Sequence, residues 1–234
     1  FLDGVEASIL SFTDSKVIVP LLSAKDHKKI GEDETGLNTG GMGVISPNPF
    51  VTDEIFEKFK SDIMEPTLKG MQSEGMDFAG VIFFGLMITK KGVYLLEYNM
   101  RMGDPETQAV LPLLENDLLE LIEKSFEKKL SEVKVNWKPL HSCCVVAAAG
   151  GYPESYKKGD EITGVLDFEE TDDNKVFICG AKVENGKLLT NGGRVLNAVA
   201  LGNTLEKAQK KAYELLKTIN FEGMYFRKDI GGRF

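Results

Sequence analysis

Long apolar segments and excess positive charge are both missing from this sequence. No stretch approaches the roughly 18 consecutive apolar residues of a membrane-spanning helix, which excludes a helical membrane span. The 234 residues include 28 lysines and arginines against 36 aspartates and glutamates, a net charge of −8. Nucleic acids and anionic membranes require a basic field, so neither is an expected partner. A local basic pocket for a phosphate-bearing substrate stays compatible with this charge.

Cysteine and histidine are also scarce. The three cysteines, Cys143, Cys144 and Cys179, form no C-x-x-C pair, which argues against a disulfide framework or a zinc site. They are predicted to be buried reduced thiols, as expected of a cytoplasmic protein. The two histidines, His27 and His141, belong to no recognisable Ser-His-Asp arrangement, so a hydrolase that depends on histidine is not favoured.

The common glycine-rich phosphate motifs are absent as well. No G-x-x-x-x-G-K-[ST] occurs, and no G-x-G-x-x-G follows a strand. Instead, a polar stretch over 30–50, with four glycines between 36 and 43, is predicted to be a long loop. Glycines let backbone N–H groups approach an anion, and Lys28 or Lys29 would add charge. A flexible surface turn is the alternative.

Apolar runs separated by turns predict an α+β chain. Antiparallel hairpins are predicted from the runs 7–12 with 16–22 and 80–89 with 93–98, the second of them buried. Helices are predicted after the cap Thr52 with a break at Pro66, near Asp104, over 116–129 and from Asn203. Short strands are predicted over 141–149, 162–166, 175–183 and 194–200, with a hairpin turn at Asn185-Gly186. A polar connector predicts a subdomain boundary near 130–140.

The sharpest chemical pattern is Glu97-Tyr98-Asn99-Met100-Arg101, at the end of the second hairpin. Alternate side chains of a strand share a face, so Glu97, Asn99 and Arg101 are predicted to point the same way. A carboxylate and an amide oxygen at this spacing suit Mg²⁺, and an arginine beside them suits a carboxylate or phosphate. The alternative is an ordinary strand end with solvated polar side chains.

Two further carboxylates, Asp104 and Glu106, stand at the start of a predicted helix, where backbone N–H groups are unpaired. One interpretation makes Asp104 a plain N-cap with Pro105 at the first helical position. In the other interpretation, Asp104 or Glu106 binds a substrate ammonium group or a metal-bound water. The local pattern leaves both open.

At these residues the sequence resembles the glycinamide ribonucleotide synthetases, a family of ATP-grasp ligases. In the first half the similarity lies in Asn38-Thr39-Gly40-Gly41-Met42-Gly43 and in Glu97-x-Asn99-x-Arg101-x-Gly103-Asp104-Pro105-Glu106-Thr107-Gln108. In the second half it lies in Gly150-Gly151-Tyr152-Pro153, Gly192-Gly193-Arg194-Val195-Leu196 and Tyr225-Phe226-Arg227-Lys228-Asp229-Ile230-Gly231. The phrase from Arg101 to Gln108 is similar to this family's own signature and discriminates against other ATP-grasp carboxylate–amine ligases.

The resemblance covers essentially the whole chain and implies the carboxy-terminal portion of such a synthetase. Residues 1–132 would be the second half of an ATP-grasp module, an antiparallel sheet with helices, and 133–234 a small α+β carboxy-terminal domain. The amino-terminal half would be absent, so little or no ligase activity is expected of these residues alone. The alternative is a non-catalytic fragment or binding domain that keeps the fold.

The family reaction uses ATP and Mg²⁺ or Mn²⁺ to join glycine to 5-phosphoribosylamine through a glycyl phosphate, a step of purine biosynthesis. By resemblance, the metal ligands would be Glu97 and Asn99, and the phosphoryl-transfer and glycine site would contain Arg101, Asp104 and Glu106. Phosphoribosylamine would be held by Asp26, Lys28, Asn38, Thr39, Gly40, Gly41, Met42 and Arg194. Glu6 would lie by the nucleotide. A monomer is expected.

Overall fold

The structure is a computed structural model, which describes residues 2–166 and 168–232. In chain order, its strands and helices are β1 (Val5–Thr13), β2 (Ile18–Asp26), β3 (Lys29–Gly31), β4 (Thr35–Asn38), β5 (Gly43–Ser46), α1 (Asp53–Phe59), α2 (Glu65–Ser73), β6 (Gly80–Thr89), β7 (Gly92–Asn99), α3 (Glu106–Val110), α4 (Leu118–Phe126), β8 (His141–Ala148), β9 (Asn174–Ile178), β10 (Ala181–Glu184), β11 (Lys187–Thr190), β12 (Arg194–Gly202) and α5 (Leu205–Leu216). These elements confirm the α+β class.

Eight of the strands form one sheet in the order β7-β6-β1-β2-β5-β8-β12-β9, and every neighbouring pair in it is antiparallel. The strands β3 and β4 form a separate hairpin, as do β10 and β11. Because β5 pairs with β8, the sheet runs without a break from the first part of the chain to the part after the connector at 130–140.

The two predicted hairpins are present. The Asp14 carboxylate accepts the N–H groups of Lys16 and Val17, both at 2.9 Å, and so closes the turn between β1 and β2. Five of the ten residues of β6 are buried and none is exposed, whereas four of the eight residues of β7 are exposed and none is buried, so the prediction of a buried hairpin is wrong for β7. The reason is that β7 lies at the edge of the sheet, where a strand has only one neighbour.

The prediction of a loop over 30–50 is wrong where β3, β4 and β5 form. Strand β5 lies between β2 and β8, and its Val44 and Ile45 are fully buried. Only four residues make up β5, and it directly follows a glycine-rich stretch, so its own sequence carries too little pattern to predict a strand. Pairing with strands distant in sequence decides its conformation.

The helix ends agree with prediction in most places. Thr52 caps α1 by accepting the N–H of Ile55 at 3.3 Å. A π-helical turn over Lys60–Met64 separates α1 from α2, just before Pro66. Helix α5 begins one residue later than predicted, because Thr204, rather than Asn203, accepts the N–H of Lys207 at 3.2 Å. None of the described helices has the length and apolar character needed to cross a membrane.

The strands β7, β6, β1 and β2 pack against different helices on their two faces, and this positions the site. On β1, Ile9 packs with Phe59 of α1 on one face. On the other face Leu10 packs with Val110 of α3. Burial of such side chains stabilises the fold by about 1.5–3 kcal/mol each. Ser8 is adjacent to Ile9 and therefore points to the opposite face, the α3 face, where its hydroxyl reaches Glu106 at the start of α3.

Two of the three cysteines are buried as predicted, and the third is not. Cys143 and Cys144 lie in β8 with no exposed surface, and burial raises the pKa of the Cys143 thiol to about 12. Cys179 follows β9 and is exposed, which corrects the prediction for that residue. All three are free thiols.

Candidate functional site

A row of small residues leaves room on the α3 face of the sheet. The strand register places Glu97 of β7 opposite Gly85 of β6, Gly85 opposite Ser8 of β1, and Ser8 opposite Ala24 of β2. A Cβ atom at Gly85 would stand 3.1 Å from Cγ of Glu97. The glycine therefore lets the Glu97 side chain lie across β6, and the small neighbours keep the space beside it open.

Glu97 lines two cavities, the larger of which has a volume of about 230 Å³. Its lining consists of Asp26, Lys28, Thr39, Gly40, Phe83, Glu97, Asn99, Arg101, Asp104 and Glu106. All of these except Phe83 are site residues predicted from the sequence. The smaller cavity, of about 160 Å³, shares Lys28 and Glu97 and is also lined by Glu6 and by the small residues Ser8 and Gly85. A third, of about 670 Å³ between α3 and β9, borders the first at Asp104.

The alternating residues at the end of β7 do share a face. Asn99 Nδ2 donates to Glu97 Oε1 at 3.1 Å, and Arg101 Nη2 donates to Asn99 Oδ1 at 3.4 Å. In residues 2–166 and 168–232 no group of three or more His, Cys, Asp or Glu side chains is placed to hold a metal. Glu97 and Asn99 offer a cation one carboxylate and one amide oxygen, a set that suits Mg²⁺ if phosphate and water complete its shell.

Two carboxyl groups lie deeper in the cavity. Glu106, at the start of α3, is 4% exposed and accepts a hydrogen bond from Ser8 Oγ at 3.2 Å. Any Cβ at Gly103 would come within 2.5 Å of Glu106 Oε2, so the glycine of the signature phrase makes room for this carboxylate. Asp26 Oδ1 is buried without a hydrogen-bond partner among the described atoms.

Burial controls the charge of these groups. Loss of solvation raises the pKa of Asp26, and the Glu106 carboxylate raises it further. Loss of solvation also raises the pKa of Glu106. Burial alone would lower the pKa of Lys28, but the hydrogen bond to Glu6 at 2.9 Å and the nearby carboxylates outweigh it and raise that pKa. The cavity thus combines a lysine whose charged form is favoured with two carboxyl groups whose charged form is disfavoured by burial, and a cationic ligand beside these two would favour their ionised form.

The glycine-rich segment after β4 forms the rim of the cavity. Thr39 donates both its N–H and its Oγ1–H to the Lys28 carbonyl, each at 2.8 Å, and Gly40 N–H donates to the Tyr152 hydroxyl at 2.9 Å. Gly41 has a φ of +111°, and a Cβ there would stand 2.6 Å from Asp26 Oδ1. The backbone therefore passes directly over the buried carboxyl.

Not every predicted residue reaches the cavity. The Met42 side chain is fully buried in the core, and Asn38 is exposed on β4 outside the cavity lining. Sequence reasoning missed Ser8, which lies on the same face of β1 as Glu6, and gave Tyr152 no role. The alternation on β1 and the Gly-Gly-Tyr-Pro block were the available signals.

Arg194, at the start of β12, lies between two cavity segments. Its Nη1 donates to the main-chain oxygens of Gly40 at 2.6 Å and Asp104 at 2.8 Å, and lies 3.3 Å from Asp104 Oδ1. Asp104 Oδ1 also accepts from Gln108 Nε2 at 3.2 Å. Helix α3 is capped at Pro105 without a side-chain hydrogen bond, so the interpretation of Asp104 as a plain N-cap is wrong.

Comparison with known proteins supports a single family. The model for the phosphoribosylglycinamide synthetase ATP-grasp (A) domain matches residues 1–107, and the model for the C domain of the same synthetase matches residues 142–233. The phosphoribosylamine–glycine ligase of Fusobacterium nucleatum is 59% identical over 99% of this chain and 54% of that protein. The Vibrio vulnificus ligase of the same name is 47% identical over 100% of this chain and 54% of that protein.

Solved structures agree with this similarity. A crystal structure of phosphoribosylamine–glycine ligase from Thermotoga maritima matches with a TM-score of 0.88 and 34% identity, over 98% of this chain and 56% of that chain. The biotin carboxylase domain of a Hydrogenobacter thermophilus carboxylase, at 12% identity and a TM-score of 0.66 over 94% of this chain and 46% of that chain, shares the fold alone. The chain spans about half the length of the curated relatives it matches.

Proposed function

The chain belongs to the phosphoribosylglycinamide synthetase family, and from this membership we propose that it carries part of the active site of a ligase that joins glycine to 5-phosphoribosylamine. The γ-phosphoryl group of ATP would pass to a carboxylate oxygen of glycine, giving glycyl phosphate and ADP. The amine of phosphoribosylamine would then attack the glycyl carbonyl and lose a proton, and phosphate would leave. The product is glycinamide ribonucleotide, an intermediate of purine biosynthesis.

One observation carries this proposal. The segments 26–28, 39–40, 97–101 and 104–106 are far apart in sequence, yet their polar side chains and backbone line one cavity. Phosphoryl transfer depends on positioned charges of both signs around the acceptor, and this cavity supplies them. An ordinary solvated strand end would not bring four such segments together.

The nucleotide and its metal ion would bind at the edge near β7. Members of the ATP-grasp superfamily use ATP and Mg²⁺, and Mg²⁺ or Mn²⁺ would supply charge compensation for the transferring phosphoryl group. We assign Glu97 and Asn99 as the protein ligands, because they provide adjacent hard oxygen donors in the cavity. Glu6, in the adjoining cavity, would lie by the nucleotide.

The remaining side chains would hold the two other substrates. Arg101 would stabilise phosphate or carboxylate charge, and Asp104 with Glu106 would bind the glycine end. A glycine ammonium beside Glu106 would favour the ionised carboxylate, because an adjacent cation offsets its loss of solvation.

Phosphoribosylamine would lie along the rim, next to the cavity of about 670 Å³ that extends from Asp104. We assign to it Asp26, Lys28, the segment Asn38–Met42 and Arg194. Asn38 and Met42 would act through their backbone positions, since neither side chain lines the cavity.

The broader assignments follow from the same family membership. We propose an ATP-grasp part over 1–132 and a small carboxy-terminal domain over 133–234, with the matched ranges 1–107 and 142–233 in support. We further propose a cytoplasmic monomer that has small-molecule substrates and no nucleic-acid or membrane partner.

The test is ADP release that depends on both glycine and phosphoribosylamine. It is run on the complete polypeptide that contains this sequence and, separately, on the 234-residue chain, with intact mass measured for each. Glu97→Gln should lower turnover sharply and raise the Mg²⁺ requirement. The matched control Glu120→Gln changes an exposed glutamate on α4 and should leave both unchanged.

Absence of turnover in the complete polypeptide would overturn the ligase assignment. Wild-type kinetics for Glu97→Gln would overturn the metal role. If turnover occurs in the complete polypeptide and not in the 234-residue chain, these residues by themselves are a non-catalytic fragment or a binding domain. That second candidate is favoured by the half-length coverage of the relatives.

A further inference from the structure

The least exposed charged residue among the described residues is Arg227, near the end of the chain, at 0%. Its Nε and Nη2 donate to the two carboxylate oxygens of Asp229 at 2.8 and 2.6 Å. Nη2 also donates to Glu34 Oε1 at 2.9 Å, and Nη1 donates to the Lys29 carbonyl at 3.0 Å. A planar guanidinium suits this many fixed partners better than an ammonium does.

All partners other than Asp229 belong to the segment 29–38, which contains the hairpin β3–β4. Two consecutive residues of this segment, Asp33 and Glu34, have a φ of +54°, a left-handed conformation that costs free energy outside glycine. Arg227 and Asp229 hold both residues in place. Asp33 N–H donates to Asp229 Oδ2 at 2.9 Å, and Glu34 Oε1 accepts from Arg227.

The cluster of Arg227, Asp229 and Glu34 also reaches His27, which lies between the cavity residues Asp26 and Lys28. His27, which is 3% exposed, has its Nδ1 at 2.8 Å from the same Glu34 oxygen. Burial would raise the pKa of Glu34, but hydrogen bonds from His27 and Arg227 outweigh it and lower that pKa to about 2. Hydrogen bonds from Arg227 and from the Asp33 N–H likewise outweigh burial and lower the pKa of Asp229. The cation therefore faces two ionised partners.

Both ends of the segment 29–38 lead into the cavity. Lys28 precedes it and Thr39 follows it, and both line the cavity. Thr39 is tied to the Lys28 carbonyl by two hydrogen bonds, and Met42 N–H donates to the His27 carbonyl at 2.8 Å. The segment 29–38 is thus joined to Lys28 at one end and to the Thr39–Gly40 rim at the other, and these two ends are bonded to each other.

We propose that Arg227, with Asp229 and Glu34, is a positioning residue that clamps the segment 29–38 and thereby fixes Lys28 and the Thr39–Gly40 rim for the amine substrate. Arg227 does not line the cavity, so it acts through these residues and not on the substrate. The kinetic part of this inference rests on the ligase function proposed above. The structural part does not.

The test compares Arg227→Lys, which keeps the charge and loses the planar fork, with Lys228→Met, an exposed neighbour. Hydrogen exchange of the amides in 29–40 is measured by mass spectrometry, with the amides of β8 as the internal reference. KM for phosphoribosylamine and kcat are measured in the complete polypeptide. For Arg227→Lys we expect exchange at least about tenfold faster in 29–40 only, and a KM raised about tenfold to hundredfold with kcat nearly unchanged.

A second variant tests the role of strain. Asp33→Gly keeps the N–H that binds Asp229 and removes the cost of the left-handed φ. Added to Arg227→Lys, it should return exchange and KM toward the values of the unchanged protein. If Arg227→Lys does not fold, Asp229→Asn replaces it with the same expectations.

Three results would overturn the proposal. Exchange that accelerates equally in 29–40 and in β8 would make Arg227 merely structural. Unchanged hydrogen exchange in 29–40 would show that Arg227 does not clamp this segment. Faster exchange with an unchanged KM for phosphoribosylamine would show that the clamp does not position the substrate site. If the unchanged polypeptide has no ligase turnover, the function proposed above fails, while the exchange measurements still decide whether the clamp exists.

Discussion

Arg194 donates from Nη1 to the main-chain oxygen of Gly40 at 2.6 Å, although 154 positions separate the two residues. The same nitrogen donates to the main-chain oxygen of Asp104 at 2.8 Å. One side chain from the second half of the chain therefore holds the glycine-rich rim and the start of α3 at a fixed separation. A Cβ atom at Gly40 would meet the guanidinium carbon at 2.9 Å, so the approach also requires this glycine.

Replacing this arginine should loosen the rim. Arg194→Met removes hydrogen bonds from a charged donor to two carbonyl oxygens, a loss of roughly 1–3 kcal/mol in unfolding free energy. We also expect weaker binding of phosphoribosylamine in the complete polypeptide. Urea unfolding followed by the fluorescence of Trp137, the only tryptophan, checks the first effect, and KM checks the second. Lys182→Met, on exposed β10, is the control, and equal effects of the two substitutions would contradict this role.

Removing the buried charge at Asp26 should stabilise the protein and impair its function. The pKa of Asp26 in the folded protein is raised above the ordinary pKa of an aspartate. The contribution of Asp26 to stability is therefore fully present at a pH below the ordinary pKa, and it is lost as the pH rises through the pKa of the folded protein. At neutral pH the ionisable carboxyl group of Asp26 therefore lowers the free energy of unfolding. Asp26→Asn should raise the unfolding free energy by roughly 1–2 kcal/mol at pH 7 and by less at pH 4.

Thermal unfolding of Asp26→Asn and the unchanged chain at the two pH values provides the measurement. Substrate binding should weaken in the same variant, because an amide offers no negative charge to a cationic ligand. A variant that is less stable at pH 7 would show that Asp26 has a charge partner that outweighs its burial.

Two glycine-to-alanine substitutions should have opposite effects. At Gly41 the φ of +111° is unfavourable for alanine, and its Cβ would stand 2.6 Å from both Asp26 Oδ1 and Pro105 Cδ. We expect Gly41→Ala to destabilise the fold by roughly 1–3 kcal/mol or more. Gly70 is in α2 with nothing within 4 Å of the added Cβ, so Gly70→Ala should stabilise by about 0.5–1 kcal/mol. Chemical unfolding of the pair tests both, and a neutral Gly41→Ala would contradict the close approach over Asp26.

Local periodicity was enough to predict the Glu97, Asn99 and Arg101 face. Alternation along a strand is a property of the backbone, and their side chains are joined by hydrogen bonds as that alternation requires. The resemblance supplied the remaining cavity residues, since nothing in the local pattern relates Asp26 to Glu106. The role of each residue stays a prediction.

Other features could not be predicted because distant partners determine them. The Asp104 carboxylate turns to Arg194 and Gln108 instead of capping α3, and no local rule anticipates a partner 90 positions away. Strand β5 exists because β2 and β8 flank it. The burial of Arg227 is of the same kind, since two of its partners, Lys29 and Glu34, lie close to the opposite end of the chain.

Acid should weaken the protein through Glu34. Its pKa is lowered to about 2 from an ordinary value of 4.5, so its stabilising contribution is present above 4.5 and is lost as pH falls toward 2. Glu34→Gln should be less stable than the unchanged chain at pH 7, because it leaves Arg227 buried with one carboxylate partner fewer. The difference should shrink between pH 5 and pH 3, since the unfolded chain takes up a proton at Glu34 across that range and the variant has no such group.

Urea unfolding at pH 7, 5, 4 and 3 measures this difference in unfolding free energy, with the exposed Glu120→Gln as the control. A difference in unfolding free energy that stays constant down to pH 3 would mean that His27 and Arg227 do not lower the pKa of Glu34. The side chain of Glu34 would then act through its shape alone.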